Sequence, residues 1–133
     1  MASDAPNPDH LKARFTAEIP PSGLPARFGI VTAYNPRSVL APPDVNERAD
    51  AELERALAGA GLPHFRVTGG AGDGSHLEPG YGIEAESPEA VRPISRRFHQ
   101  EAFFWVEDGM VFVIDTEGRT RHRVGLWARR LAR

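Results

Sequence analysis

The sequence predicts an α+β fold: a mainly antiparallel sheet with two helices on one face, arranged as a ferredoxin-like split β-α-β unit with an extra strand at each end. Three observations predict it. Short β-rich runs at 28–34, 64–68, 81–84 and 102–106 alternate with two helix-forming stretches in the order strand, helix, strand, strand, helix, strand, which is the order of that unit. The last third consists of strands and tight turns, with Asp108-Gly109 between two apolar runs as a favoured hairpin pair. At 133 residues, 41% hydrophobic and 26% charged, the chain has the size and composition of one domain that buries about two thirds of its unfolded surface.

Leu11, Ala13, Phe15, Ala17 and Ile19 alternate with polar residues, the period of a half-buried strand, and the single domain is expected to run from there over 11–133. Residues 1–10 are expected to form a flexible lead-in. Three prolines and a glycine within Pro20–Pro25 predict a loop, because they break either regular structure. Phe28–Tyr34 then reads as a central strand stopped by Asn35-Pro36. Asp44 and Glu47 have the spacing of a capping box, followed by Val45, Ala49, Leu53, Leu57 and Ala60 at helical intervals and by Gly59 and Gly61 as a stop.

His64–Thr68 predicts a short strand and Gly69–Ser75 a flexible connector. Ser87-Pro88-Glu89 opens a second helix with a capping serine and proline at the first helical position; Val91, Ile94 and Phe98 form its inward face, and Pro93 predicts a kink or a late start. Ala102–Val106 and Met110–Ile114 form the hairpin. A turn near Glu117-Gly118 leads to a last strand over 120–126. The hairpin strands are apolar on both faces, so helices are expected over one side and another layer or subunit over part of the other.

Composition excludes several function classes. No apolar run approaches the roughly 20 residues of a membrane span, and Met1–His10 lacks a basic stretch followed by an apolar one, so it does not read as a secretory signal. The chain has no cysteine, which excludes disulfides, thiolate metal sites and cysteine nucleophiles. A cytoplasmic location is expected. The net charge of −2 is unevenly spread: 119–133 holds six arginines and no acid, and removing these from the 16 basic residues leaves 10 against 18 acids. Such a tail fits nucleic acid or an acidic partner, or else an edge strand whose arginines are solvated or pair with the body's carboxylates. The second is the expectation, because 15 of the 16 basic residues are arginine throughout the chain, a bias of base composition.

The predicted topology gathers polar residues at one end of the sheet. Asn35, Arg37 and Ser38 leave the central strand beside the entrances of its two neighbours, where Glu78, Tyr81, His99 and Gln100 stand. In such a set Glu78 acts as general base if burial raises its pKa, His99 titrates near neutrality, Arg37 clamps an anion, and Asn35 and Gln100 orient a substrate. The structural alternative is an internal network in which Asn35 and Gln100 cap strand ends and Glu78 pairs with Arg37.

Thr32-Ala33-Tyr34-Asn35-Pro36-Arg37-Ser38, Asn46-Glu47-Arg48, Glu78-Pro79-Gly80-Tyr81 and Phe98-His99-Gln100-Glu101-Ala102-Phe103-Phe104-Trp105 resemble a bacterial family catalogued as Domain of Unknown Function 3293. The resemblance runs from Phe28 to Ile114 and is most specific at Ala33–Pro36 and Phe98–Gln100. It implies no established activity. It implies a glycine where His99 stands, which shifts weight from His99 to Asn35, Glu78 and Gln100, and it adds Asn46 to the candidates.

Other signals are discounted. His76, Glu78 and His99 make a poor zinc set without a second closely spaced pair, and no metal or cofactor is expected. A zinc deaminase would need cysteines. The glycine loop lacks a Walker lysine and leads to a strand, so it reads as a lid or linker. Ser22 and Ser38 lack the Gly-x-Ser-x-Gly setting, His10, His64 and His122 read as surface or edge residues, and Phe103, Phe104 and Trp105 read as core. Leu126, Trp127 and Leu131 read as an amphipathic end docked on the body.

The leading expectation is thus a sheet-edge pocket for a small anionic or nucleotide-like ligand. The alternative is a non-enzymatic protein-interaction domain or homodimer using a sheet edge or the arginine-rich end. Nucleic-acid binding through that end is a further alternative.

Overall fold

The computed structural model describes residues 8–70 and 77–131. Residues 1–7 of the expected lead-in, most of the glycine connector with His76, and the last two residues lie outside them. Among the described residues, four α-helices and seven strands follow in order as α1 (Pro8–Leu11), β1 (Arg14–Ala17), β2 (Arg27–Thr32), α2 (Pro43–Gly59), β3 (His64–Gly70), β4 (Glu78–Glu84), α3 (Pro88–Arg97), β5 (Ala102–Glu107), β6 (Met110–Asp115), β7 (Arg121–Leu126) and α4 (Trp127–Arg130). The strands form one antiparallel sheet in the order β1-β3-β4-β2-β5-β6-β7. Its middle four strands have the expected split β-α-β order. No helix among the described residues is long and apolar enough to cross a membrane.

The two faces carry separate cores because strand residues alternate. Toward α2 and α3, Val31, Tyr81, Ile83, Phe103 and Trp105 pack with Leu53, Leu57 and Val91. Gly29 makes this possible, since a Cβ there would lie 2.7 Å from the Val91 side chain. On the other face, Phe15, Phe28, Ile30, Phe65, Val67, Val106 and Val111 are enclosed by the curl of the sheet itself together with Trp127. The second layer expected there is therefore the sheet's own two ends. Phe15 of β1 forms a parallel bridge with Leu131, Trp127 stacks on Phe15 with centroids 5.3 Å apart, and Arg130 donates to the Leu11 and Val124 carbonyls at 2.9 and 3.0 Å.

Several local expectations are corrected. The first strand is four residues long rather than nine, Pro8–Leu11 being a helical turn and Ile19 exposed. The capping box of α2 does not form: the helix starts at Pro43, no side chain caps it, and the Asp44 carboxylate accepts from Arg48 at 3.1 Å. Its inward face is also rotated at the start, with Asn46 buried and Val45 exposed, for a reason that emerges below. α3 begins at Pro88 and runs through Pro93. Gly69 and Gly70 continue β3, and Glu78 opens β4. The Asp108-Gly109 hairpin forms as expected, both residues having positive φ (50° and 80°).

Candidate functional site

Beyond β2 the chain takes an unusual path. Asn35, Arg37 and Ser38 all adopt left-handed backbone angles (φ 49°, 59° and 62°) around a 3₁₀ turn at Pro36–Ser38. Each costs a side-chain-bearing residue about 1–2 kcal/mol, asparagine least, and persists only where the surroundings over-determine it. Here they do. The Asn35 N–H donates to Asn46 Oδ1 at 2.9 Å, Asn46 Nδ2 donates back to Asn35 Oδ1 at 3.0 Å and to the Ala41 carbonyl at 3.3 Å, and the Ala41 N–H donates to Asn35 Oδ1 at 3.0 Å. The Arg37 N–H donates to the His99 carbonyl at 2.8 Å. Burying Asn46 for this purpose is what turns the start of α2.

The main-chain donors fix both amides, because an N–H must meet an oxygen. With Asn35 Oδ1 toward Ala41, its Nδ2 faces outward and donates to Glu78 Oε1 at 2.9 Å. Sequence separation between these two is 43 residues. They meet at the mouth of the curled sheet, where a hollow of about 320 Å³ opens. Phe15, Ile30, Val67 and Phe104 form its apolar depth, and His10, Thr32, Asn35, Ser38, Glu78, Gln100 and Glu101 its polar rim. Gly80 lets the strands close at this end, since a Cβ there would stand 2.4 Å from the Val31 carbonyl oxygen.

Four of the seven residues expected at the site line this hollow: Asn35, Ser38, Glu78 and Gln100. Gln100 also has the strand-capping role weighed for it, with Nε2 donating to the Tyr34 and Phe98 carbonyls at 3.1 and 3.2 Å. Arg37 and His99 sit together on the exposed outside, Arg37 Nη2 lying 3.4 Å from His99 Nδ1, and neither lines the hollow. His99 (φ 56°) ends α3: its N–H meets the Arg96 carbonyl at 3.0 Å and the Gln100 N–H meets the Ser95 carbonyl at 3.0 Å. That is a Schellman ending, whose left-handed position favours glycine.

Tyr81 is corrected outright. One residue along the strand from Gly80, it points to the helix face, where Arg66 Nη2 donates to its hydroxyl at 2.7 Å and the hydroxyl donates to Glu54 Oε2 at 3.1 Å. Arg66 also forks onto both Asp50 oxygens at 2.8 and 2.9 Å. Burial, reinforced by Asp50 and Glu54 and partly opposed by Arg66, pushes the Tyr81 hydroxyl from its ordinary 10.0 up to about 12.

Sequence reasoning missed His10, Thr32, Glu101 and the depth formed by Phe15 and Phe104. The alternation along 11–19 already placed Phe15 inward; nothing in the sequence pointed His10, read as a surface or edge residue, at Phe104, where its ring stands edge-on at 5.8 Å. No group of three acids or histidines suited to a metal occurs among the described residues.

A family model described as "Protein of unknown function (DUF3293)" matches residues 31–103, more than half of the chain. Asn35, Asn46, Glu78 and Gln100 all fall inside that span. No curated protein and no solved structure matches.

Proposed function

This chain belongs to the DUF3293 family of proteins of unknown function, and on that premise we propose that it binds a small molecule in the mouth of its curled sheet, with Glu78 as the carboxylate presented to the ligand. The observation that carries this reading is the 2.9 Å contact from Asn35 to Glu78, at the edge of a hollow beside a turn in which Asn35, Arg37 and Ser38 take left-handed backbone angles. Strain of this kind gathers at ligand sites more than at plain loops, and an apolar hollow with a few converging polar groups is the usual form of such a site. The hollow's size, about 320 Å³, falls at the small end of ligand pockets, which run from roughly 300 to 1,000 Å³.

A metabolite thermal-shift screen on the wild type and on Glu78→Gln tests it. Binding stabilises only the native state, by about 2.7 kcal/mol at a hundred times Kd. The expected outcome is a compound that raises the wild-type Tm and fails on the variant, whose own Tm stays near wild type. A variant that loses much of its stability, together with no responding compound, sinks the reading in favour of a purely structural network.

Use of the arginine-rich end by a partner finds less support. Trp127 is buried against Phe15 and Phe28, and Arg130 is engaged by main-chain carbonyls.

A further inference from the structure

On the basis of the small-molecule reading, we infer that the ligand carries a flat aromatic ring and that Gly69 is the residue that admits it. Topology sets the section of the hollow. β1, β3, β4, β2 and β5 follow one another in the sheet, and Phe15 of β1 meets Phe104 of β5 edge to face with centroids 5.0 Å apart, so at the mouth the curl returns on itself. In such a ring of strands, the two that β5 does not adjoin are β3 and β4. Phe104 therefore faces these two across the hollow.

Side chains alternate along β3, so Gly69 shares the inward face with Phe65 and Val67, both of them core. Gly69 pairs with Glu78, and Val67 with Gly80, which makes the two glycines diagonal neighbours, about 7–8 Å apart in an antiparallel pair. Both line the hollow. The wall opposite Phe104 is thus bare main chain over a strip of that span. Phe104 is half-buried whereas Phe15 is 1% exposed, so the Phe104 ring keeps open surface where it lines the hollow. Peptide planes on one side and a phenyl ring on the other make a slot whose flat sides suit a planar ring better than a puckered or branched body.

The two glycines differ in kind. Gly80 is demanded by the fold, because a Cβ there would collide with the main chain of β2. Gly69 is not: its φ is not positive, and a Cβ would meet only the Phe15 ring among the described residues, at ordinary contact distances of 3.6 and 3.7 Å. Glycine weakens a strand relative to alanine. Where neither backbone angle nor packing requires it, it marks a place at which a ligand approaches the main chain closely.

Benzyl alcohol, cyclohexylmethanol and heptan-1-ol share one head and one carbon count and differ in flatness; each is titrated into the ¹⁵N-labelled full chain. Benzyl alcohol is expected to displace the Gly69, Gly80 and Phe104 amide signals through its ring current and to bind at least about threefold more tightly than the other two. Gly69→Ala should match or exceed the wild-type Tm and bind benzyl alcohol about tenfold more weakly, the added methyl standing in the slot. Phe104→Leu keeps an apolar wall without the facing ring and should shrink the preference for benzyl alcohol to less than about twofold. Either saturated probe binding the wild type as tightly as benzyl alcohol, or unchanged binding by Gly69→Ala, overturns the ring inference while leaving the pocket in place. A Gly69→Ala Tm well below wild type overturns it too, by showing that the fold itself requires glycine there. If no probe moves an amide of the rim or the wall, the inference and the small-molecule reading fall together.

Discussion

Asn35 and Asn46 exchange two hydrogen bonds, main chain to side chain at 2.9 Å and side chain to side chain at 3.0 Å, so a residue of α2 that does not line the hollow sets the direction of one that does. Asn46→Ala removes the partner of a main-chain N–H and of two acceptors in a buried position. A loss of about 1–3 kcal/mol is expected, measured by urea unfolding, together with weaker ligand binding. In a double-mutant cycle with Asn35→Ala the two losses should fall short of additive by at least about 0.5 kcal/mol; simple additivity would show that the amides act independently.

Glu78→Gln keeps an oxygen for the Asn35 amide, so the contact survives and only the charge goes. Stability should change by less than about 1 kcal/mol. Glu78→Leu strands the Asn35 hydrogen at a half-buried place and should cost more than the glutamine variant. Equal costs in calorimetry would mean that the contact contributes nothing to the fold.

His99 holds a left-handed angle at the end of α3, and the resemblance implies glycine there. His99→Gly removes the steric cost of that angle and should raise stability by about 1 kcal/mol, less whatever the freed unfolded chain gains in entropy. The urea midpoint checks this; a lower midpoint would show that the Arg37–His99 contact outweighs the strain.

The chain has two tyrosines, and both are shifted upward. Burial, aided by Asp50 and Glu47, raises Tyr34 above 10.0, and Tyr81 reaches about 12. Between pH 10 and 12 the unfolded chain has released the Tyr81 proton and the folded chain retains it, so stability present below pH 10 must fall as pH rises through this window. Absorbance at 295 nm should show less than half of the tyrosine ionised at pH 10 in the folded protein, where an unshifted side chain would be half ionised. Tyr81→Phe should flatten the alkaline part of the stability profile.

Trp127 is buried against Phe15 and Phe28 at centroid distances of 5.3 and 5.4 Å. Trp127→Ala should cost about 3–5 kcal/mol, visible as a large drop in Tm. A change under 1 kcal/mol would place the C-terminal turn outside the cooperative unit.

The sequence made the layout legible through periodicity: hydrophobic spacing located the strands and the two long helices, and the order of β3, β4, β2 and β5 followed from the split β-α-β pattern, whereas the place of β1 beside β3 did not. Boundaries are less legible at glycine: Gly69 and Gly70 extend β3, and β4 opens at Glu78, ahead of the run that starts at Tyr81. Of the site, topology alone brought Asn35 to Glu78. The strand's period of two was the signal that should have separated Tyr81 from Glu78, since an odd offset puts them on opposite faces. Asn46 was invisible to helical patterning because a buried polar residue contradicts the apolar face it occupies, and its reason lies 11 residues away in another element. The curl that makes the hollow depends on contacts between the sheet's distant ends, which no local pattern encodes.

Phe15 belongs at once to the hollow's wall and to the clasp formed with Leu131 and Trp127. A guest that presses on one side of that ring alters how firmly the other side is gripped, and the exchange works equally in reverse. Amide exchange along the terminal turn thus becomes a remote gauge of occupancy at the opposite flank.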